Sequence, residues 1–251
     1  MRSTDASIPK CAPRAGEPFR RTLDAGGAPG PSYQRMTAHG AGRRRAAWPF
    51  EHLLCSVRLQ QGGYPLAMLG LPTIVGEGVV LRALRPTDAR ALLAVFGDHR
   101  VTRMMAIRTL EDESGAVSLI HEIQSLARAG TLLQWGVVLP ATDEPIGTVT
   151  LASIDRNNRR AELGVGLAHA YWGQGLATKA ARTLLGHAFR TMLLHRLEAD
   201  VDATNGAALR LLENLGFERE GVLRERWLVE GEWRDSVWLG LLAGQWSARR
   251  R

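Results

Sequence analysis

The sequence predicts an α/β chain whose sheet is mixed and mostly antiparallel, with helices flanking it. Three observations carry this. The elements from Val79 onward read in the order β-α-α-β-β-β-α-β-α-β-β. Neighbouring strand patterns are joined by turn-rich connections, Pro140-Ala141-Thr142-Asp143-Glu144-Pro145 and Glu230-Gly231-Glu232, of hairpin length. In the middle an apolar strand feeds a glycine turn that opens a long helical pattern.

Residues 79–84 read as the first strand. Thr87 or Asp88 then suits an N-cap for a helix through Phe96. A second helix is expected over about 113–128, with Val117, Ile120, Ile123 and Leu126-Ala127 at helical spacing. Met104 and Met105, between the two, read as core or pocket wall. Strands follow at 132–139 and 146–154, and Arg156-Asn157-Asn158-Arg159 turns into a third at 161–167. A helix runs from the glycine turn to about Arg190, and the next strand covers 197–202. A helix at 206–215 stops at Gly216. The last two strands are expected at 222–229 and 233–242, with Trp227, Trp233, Trp238 and Trp246 read as sheet core.

Charge and cysteine usage narrow the class. The net charge is +7, but residues 1–67 hold ten Arg or Lys against four Asp or Glu. The remaining residues hold 22 against 21, so nucleic-acid binding by the domain at 76–251 is not indicated. Both cysteines, Cys11 and Cys55, lie in the first quarter, so the domain has no disulfide, Cys nucleophile or thiolate metal site. His99, His121, His169, His187 and His195 lack metal-ligand spacing, and no metal is expected. No apolar run reaches the length of a membrane span, and the first thirty residues lack a signal-peptide core. A soluble, cytoplasmic protein is the default expectation.

Residues 1–70 show no sustained period and are expected to form a disordered basic extension, with at most a short helix at 50–59. Sequence upstream of the true start codon is the preferred reading, with Met68 and Met36 as alternative starts. A genuine disordered arm and a targeting signal are the other two.

Tyr171-Trp172-Gly173-Gln174-Gly175-Leu176-Ala177-Thr178-Lys179-Ala180 is the stretch on which function turns. A glycine-rich turn at a helix N-terminus is an anion site, because the first-turn N–H groups lack intrahelical partners and the dipole adds positive charge. A P-loop is excluded, since Gly175 is followed by Leu176-Ala177 and not Lys-Ser/Thr. A dinucleotide fingerprint is excluded too, with Thr178 where its third glycine belongs.

This loop resembles the acyl-CoA pyrophosphate loop of the GCN5-related N-acetyltransferase (GNAT) superfamily, in its RimJ/RimL-type branch. Asn205 and Glu213-Asn214-Leu215-Gly216-Phe217-Glu218-Arg219-Glu220-Gly221-Val222-Leu223-Arg224 resemble that branch's second block. The blocks stand in family order between about Val79 and Trp246. The resemblance implies a GNAT fold with splayed central strands and acetyl-CoA as co-substrate. It also implies an amine acceptor: a peptide N-terminus, a polyamine or an aminoglycoside-like amine. A homodimer is left open as the assembly. Val165, Gly166 and Leu167 on the splaying strand, residues Trp172, Gly173, Gln174, Gly175, Leu176, Ala177 and Thr178 of the loop, and Asn205 would bind the cofactor.

Glu162 is the candidate catalytic base. It is a carboxylate in an apolar strand, on one face with Gly164 and Gly166, while Leu163, Val165 and Leu167 share the other. Partial burial would raise its pKa toward neutrality. The competing reading is a strand-end acid paired with Arg159 or Arg160. The general acid is where the chain departs from its relatives. Ala208 occupies the position where they often carry serine, and the domain's one tyrosine is Tyr171 in the loop. That gap gives a second functional reading, a catalytically silent acyl-CoA-binding module. Glu111-Asp112-Glu113 reads either as an acidic lure for polyamines or as a solvated helix start.

Overall fold

The computed structural model describes residues 70–105 and 107–248. The extension, its alternative starts, the helix at 50–59 and both cysteines therefore lie outside the described residues, apart from Gly70. No helix among the described residues is long and apolar enough to cross a membrane.

Eight strands form one sheet in the order β1-β2-β3-β4-β5-β6-β8-β7. They are β1 (Ile74–Val75), β2 (Val80–Ala83), β3 (Leu133–Val138), β4 (Pro145–Asp155), β5 (Arg160–Leu167), β6 (Arg196–Asp202), β7 (Glu218–Val229) and β8 (Glu232–Leu242). All neighbours pair antiparallel except β5 and β6. The helices are α1 (Ala89–Phe96), α2 (His99–Thr102), α3 (Glu113–Ala129), α4 (Leu176–Arg190), α5 (Gly206–Leu215) and α6 (Ala243–Ala248). The mixed, mostly antiparallel architecture is the expected one. The pattern did not show β1, α2 or α6, which are two to six residues long and too short to display a period.

The sheet carries apolar packing on both faces. On one, α4 turns Ala180, Ala181, Leu184, Leu185 and Ala188 onto Trp135, Val149, Leu163, Leu197 and Leu239. On the other, Leu92 and Phe96 of α1 meet Leu119, Ile120 and Ile123 of α3 above Leu84 and Ala152. Each buried leucine or phenylalanine contributes about 1.5–3 kcal/mol relative to exposure. Of the tryptophans read as sheet core, Trp246 belongs there at 5% exposure, but Trp233 is 62% exposed. Trp233 lies next to the β7–β8 turn, paired with Leu228, which is exposed as well.

Asp88 does not cap α1 with its side chain. Its carboxylate is buried against Arg82, at 2.8 and 3.0 Å, and accepts the Arg85 N–H at 2.7 Å. Arg82 is itself buried and reaches Asp143 at 2.7 Å. A buried guanidinium demands such partners, and this one outcompetes the cap. Asp112 does cap α3, accepting the Gly115 N–H at 2.8 Å, while Glu111 pairs with Arg108 at 2.6 Å. Asp112 thus serves the start of α3.

Candidate active site

β5 and β6 run parallel but remain in register only at Arg160↔Arg196, Ala161↔Leu197 and Glu162↔Glu198. Beyond those pairs the strands part, while β5 stays bonded to β4 as far as Leu167↔Gly147 and β6 to β8 as far as Asp202↔Ser236. The residues of β5 beyond Glu162 therefore turn one backbone edge into the opening. Leu163 and Leu167 pack into the α4-side core and Val165 against it. Glu162, Gly164 and Gly166 take the opposite face, as the alternation required.

Glu162 is partly buried where the strands part. Loss of hydration raises its carboxyl to about 7; Asp200 and Glu198 push the same way, and Arg226 and a hydrogen bond with Ser153 oppose them. Arg160 is committed elsewhere, to Glu198 at 3.1 Å and Asp155 at 3.5 Å. Neither Arg159 nor Arg160 pairs with Glu162 among the described residues; the arginine that acts on it is Arg226. Of the two glycines on this face, Gly166 lies under Met105, whose sulfur would stand 3.0 Å from an added Cβ. An added methyl there would require the flexible Met105 side chain to shift by a few tenths of an ångström. Gly164 is uncrowded, with Thr150 at an ordinary 3.6 Å.

After Leu167 a short 3-10 turn, His169–Tyr171, leads into the loop. Trp172 donates its indole N–H to the Leu167 carbonyl at 2.8 Å and rests on His169, ring centroids 4.9 Å apart. Gly173 and Gly175 take φ of 74° and 73°, and Gly175 is the N-cap residue of α4. An added Cβ at either glycine would meet nothing. Left-handed backbone, rather than crowding within the chain, is what calls for glycine there. Gln174 folds back onto the Ala170 carbonyl at 3.0 Å, and Leu176, Ala177 and Thr178 form the first turn of α4. Their N–H groups lie where an anion would be received.

Asn205 sits at the end of β6 on the far side of the opening. Its side-chain oxygen caps α5 through the Ala208 N–H at 3.1 Å. The cap uses the oxygen and leaves the amide NH₂ as a donor. Ala208 offers no hydroxyl, and Tyr171 packs between the two apolar cores.

Three residues beside Glu162 were not singled out as site residues: Ser153, Asp200 and Arg226. Ser153 holds φ of 50° where the β4–β5 register slips, a conformation no pattern in the sequence announces. Arg226 is 26 residues from its partner Asp200, a contact that only the sheet order creates.

The family model for the acetyltransferase (GNAT) domain matches residues 79–218. The chain belongs to the GNAT family. It is 33% identical over 177 residues to the uncharacterized N-acetyltransferase p20 of Bacillus licheniformis, covering 70% of this chain and 99% of that one. The ribosomal protein uS5-alanine N-acetyltransferase of Escherichia coli is 27% identical, with 69% of this chain and 92% of that protein covered. Among solved structures, the Vibrio cholerae spermidine N-acetyltransferase in complex with CoA and spermine superposes with a TM-score of 0.62 at 23% identity. It covers 68% of this chain and 98% of that one, a likeness of fold. This GNAT protein is an acetyl-CoA-dependent N-acyltransferase.

Proposed function

We propose that this enzyme transfers acetyl from acetyl-CoA to a primary amine by direct attack in a ternary complex, with Glu162 as the base. The observation that carries the reading is a partly buried carboxyl at the point where β5 and β6 part, which burial pushes up to about 7. Acetyl-CoA supplies the acetyl group as a thioester. N–H groups of the glycine loop from Gly173 onward and of the first turn of α4, Leu176 to Thr178, receive the pyrophosphate. The open edge of Val165, Gly166 and Leu167 and the Asn205 amide receive the pantetheine arm.

The acceptor ammonium gives one proton to ionised Glu162, directly or through a water. The neutral nitrogen then attacks the thioester carbonyl carbon; the C–N bond forms, the C–S bond breaks, the thiolate leaves with its electron pair, and the nitrogen gives its second proton to water to leave the neutral amide. With Ala208 in place of a serine, water protonates the thiolate, and a thiol of pKa about 8.5 is a sufficient leaving group. Glu162 afterwards returns its proton to solvent.

A base near 7 is well matched to an α-amine, at about 7.7–8.0, and poorly to a side-chain or polyamine ammonium near about 10.4. A protein N-terminus is therefore the favoured acceptor, in keeping with the alanine-acetylating relative. The test is thiol release from acetyl-CoA with short peptides of varied N-termini, spermidine and an aminoglycoside. Turnover on free N-termini supports the reading. Turnover confined to spermidine or the aminoglycoside overturns the acceptor class.

A further inference from the structure

Three charges reach Glu162 from strands other than its own: Glu198 and Asp200 of β6 and Arg226 of β7. Asp200 lies on β6 two residues beyond Glu198, the last residue in register with β5, and so occupies the same sheet face. Its side chain is 4% exposed. One carboxylate oxygen is 3.4 Å from Arg226 Nε, and the other is buried with no hydrogen-bond partner among the described residues. Such an oxygen is unfavourable in a fold, and its retention asks for a reason.

Arg226 comes from β7, on the far side of β8, by way of a bulge. Leu223 pairs with Ser236 and Trp227 with Arg234, leaving three β7 residues opposite Asp235. Glu225 takes φ of 50° there and donates its N–H to Asp235 at 2.8 Å. The extra length brings the Arg226 guanidinium across to Asp200 and sets it 4.8 Å from the centroid of the Trp227 ring. Bulges that re-aim a side chain beside a site are a known device.

We propose that Asp200 and Arg226 are positioning residues for the acyl transfer, acting from opposite signs on the charge that Glu162 carries. Asp200 opposes ionisation of Glu162 across the opening, and Arg226, bridged to Asp200, keeps that opposition from going too far. Other groups complete the surroundings. Glu198 adds to Asp200 but is shared by Arg160 and Arg196, at 3.1 and 2.8 Å. On β4, Ser153 brings a hydroxyl, and Asp155 is held by Asn158 and Arg160. Asp202 and Arg234 pair with each other at 3.3 Å. From the helical layer, Met105 brings no charge.

The proposal rests on Glu162 being the base, and its test separates the two. Carboxyl carbons of the full chain, labelled with [13C]glutamate, are followed by NMR across pH, the Glu162 signal being identified by its loss in Glu162→Gln. The wild-type midpoint is expected near 7. Asp200→Asn is expected to lower it by about one pH unit and Arg226→Gln to raise it, with Arg226→Lys close to wild type. A general loosening would move both variants toward the ordinary carboxyl value, so opposite directions cannot come from it. If Asp200→Asn does not fold, the contrast between Arg226→Gln and Arg226→Lys decides. An unmoved midpoint, or movement in one direction for both, overturns the proposal. Full turnover in Glu162→Gln overturns the base reading beneath it, whatever the midpoints do.

Discussion

Glu162 and Glu198 are the last residues paired between β5 and β6, so the sheet opens where its central carboxyl is held. A neutral acid is favoured there by the folded state. With the folded value near 7 and the ordinary value 4.5, this contribution to stability is whole below about pH 4.5 and is lost as pH rises through about 7. Glu162→Gln carries no such dependence. Its thermal stability is expected to gain on wild type between about pH 5 and pH 8, by on the order of 3 kcal/mol at most. Parallel melting curves at the two pH values check this.

Gly175→Val places a branched side chain at φ of 73° in otherwise open space. The expected cost is about 1–2 kcal/mol from backbone strain alone. A weaker acetyl-CoA complex should accompany it, as the first turn of α4 shifts. Urea unfolding and calorimetric titration with acetyl-CoA measure the two effects separately.

Asn205→Asp separates capping from cofactor binding. Aspartate caps a helix as well as asparagine does, but lacks the amide donors. The variant should keep its melting temperature and lose acetyl-CoA affinity. Unchanged affinity would leave Asn205 as the α5 cap and nothing more.

Asp88→Ala leaves the Arg82 guanidinium buried with Asp143, itself exposed, as its remaining carboxylate. Loss of one partner of a buried pair costs about 3–5 kcal/mol, and urea unfolding of this variant should show a loss of that order.

Helices and strands long enough to show a period were readable from sequence. The α4 and α5 boundaries fell where the glycines at 175 and 216 put them. Glu162 was readable because a carboxylate interrupts an apolar strand, and the loop because its glycines precede a helix. Asp200, Arg226 and Ser153 were hidden for a common reason. Their placement depends on a sheet order that sets β8 between β6 and β7, and on two register slips, in β4 and in β7. Neither is a local property of sequence. The Asp88 cap went astray similarly, because Arg82 claims that carboxylate through packing six residues away.

The most direct measurement is kcat/KM against pH for wild type and Glu162→Gln, on whichever N-terminal peptide the thiol-release panel turns over best. With Glu162 as base, the wild-type profile rises through a limb near 7. Glu162→Gln then loses about 10²–10⁴-fold in rate together with that limb. A variant that retains wild-type turnover and the same limb would contradict the assignment and place the proton's acceptor elsewhere in the cleft.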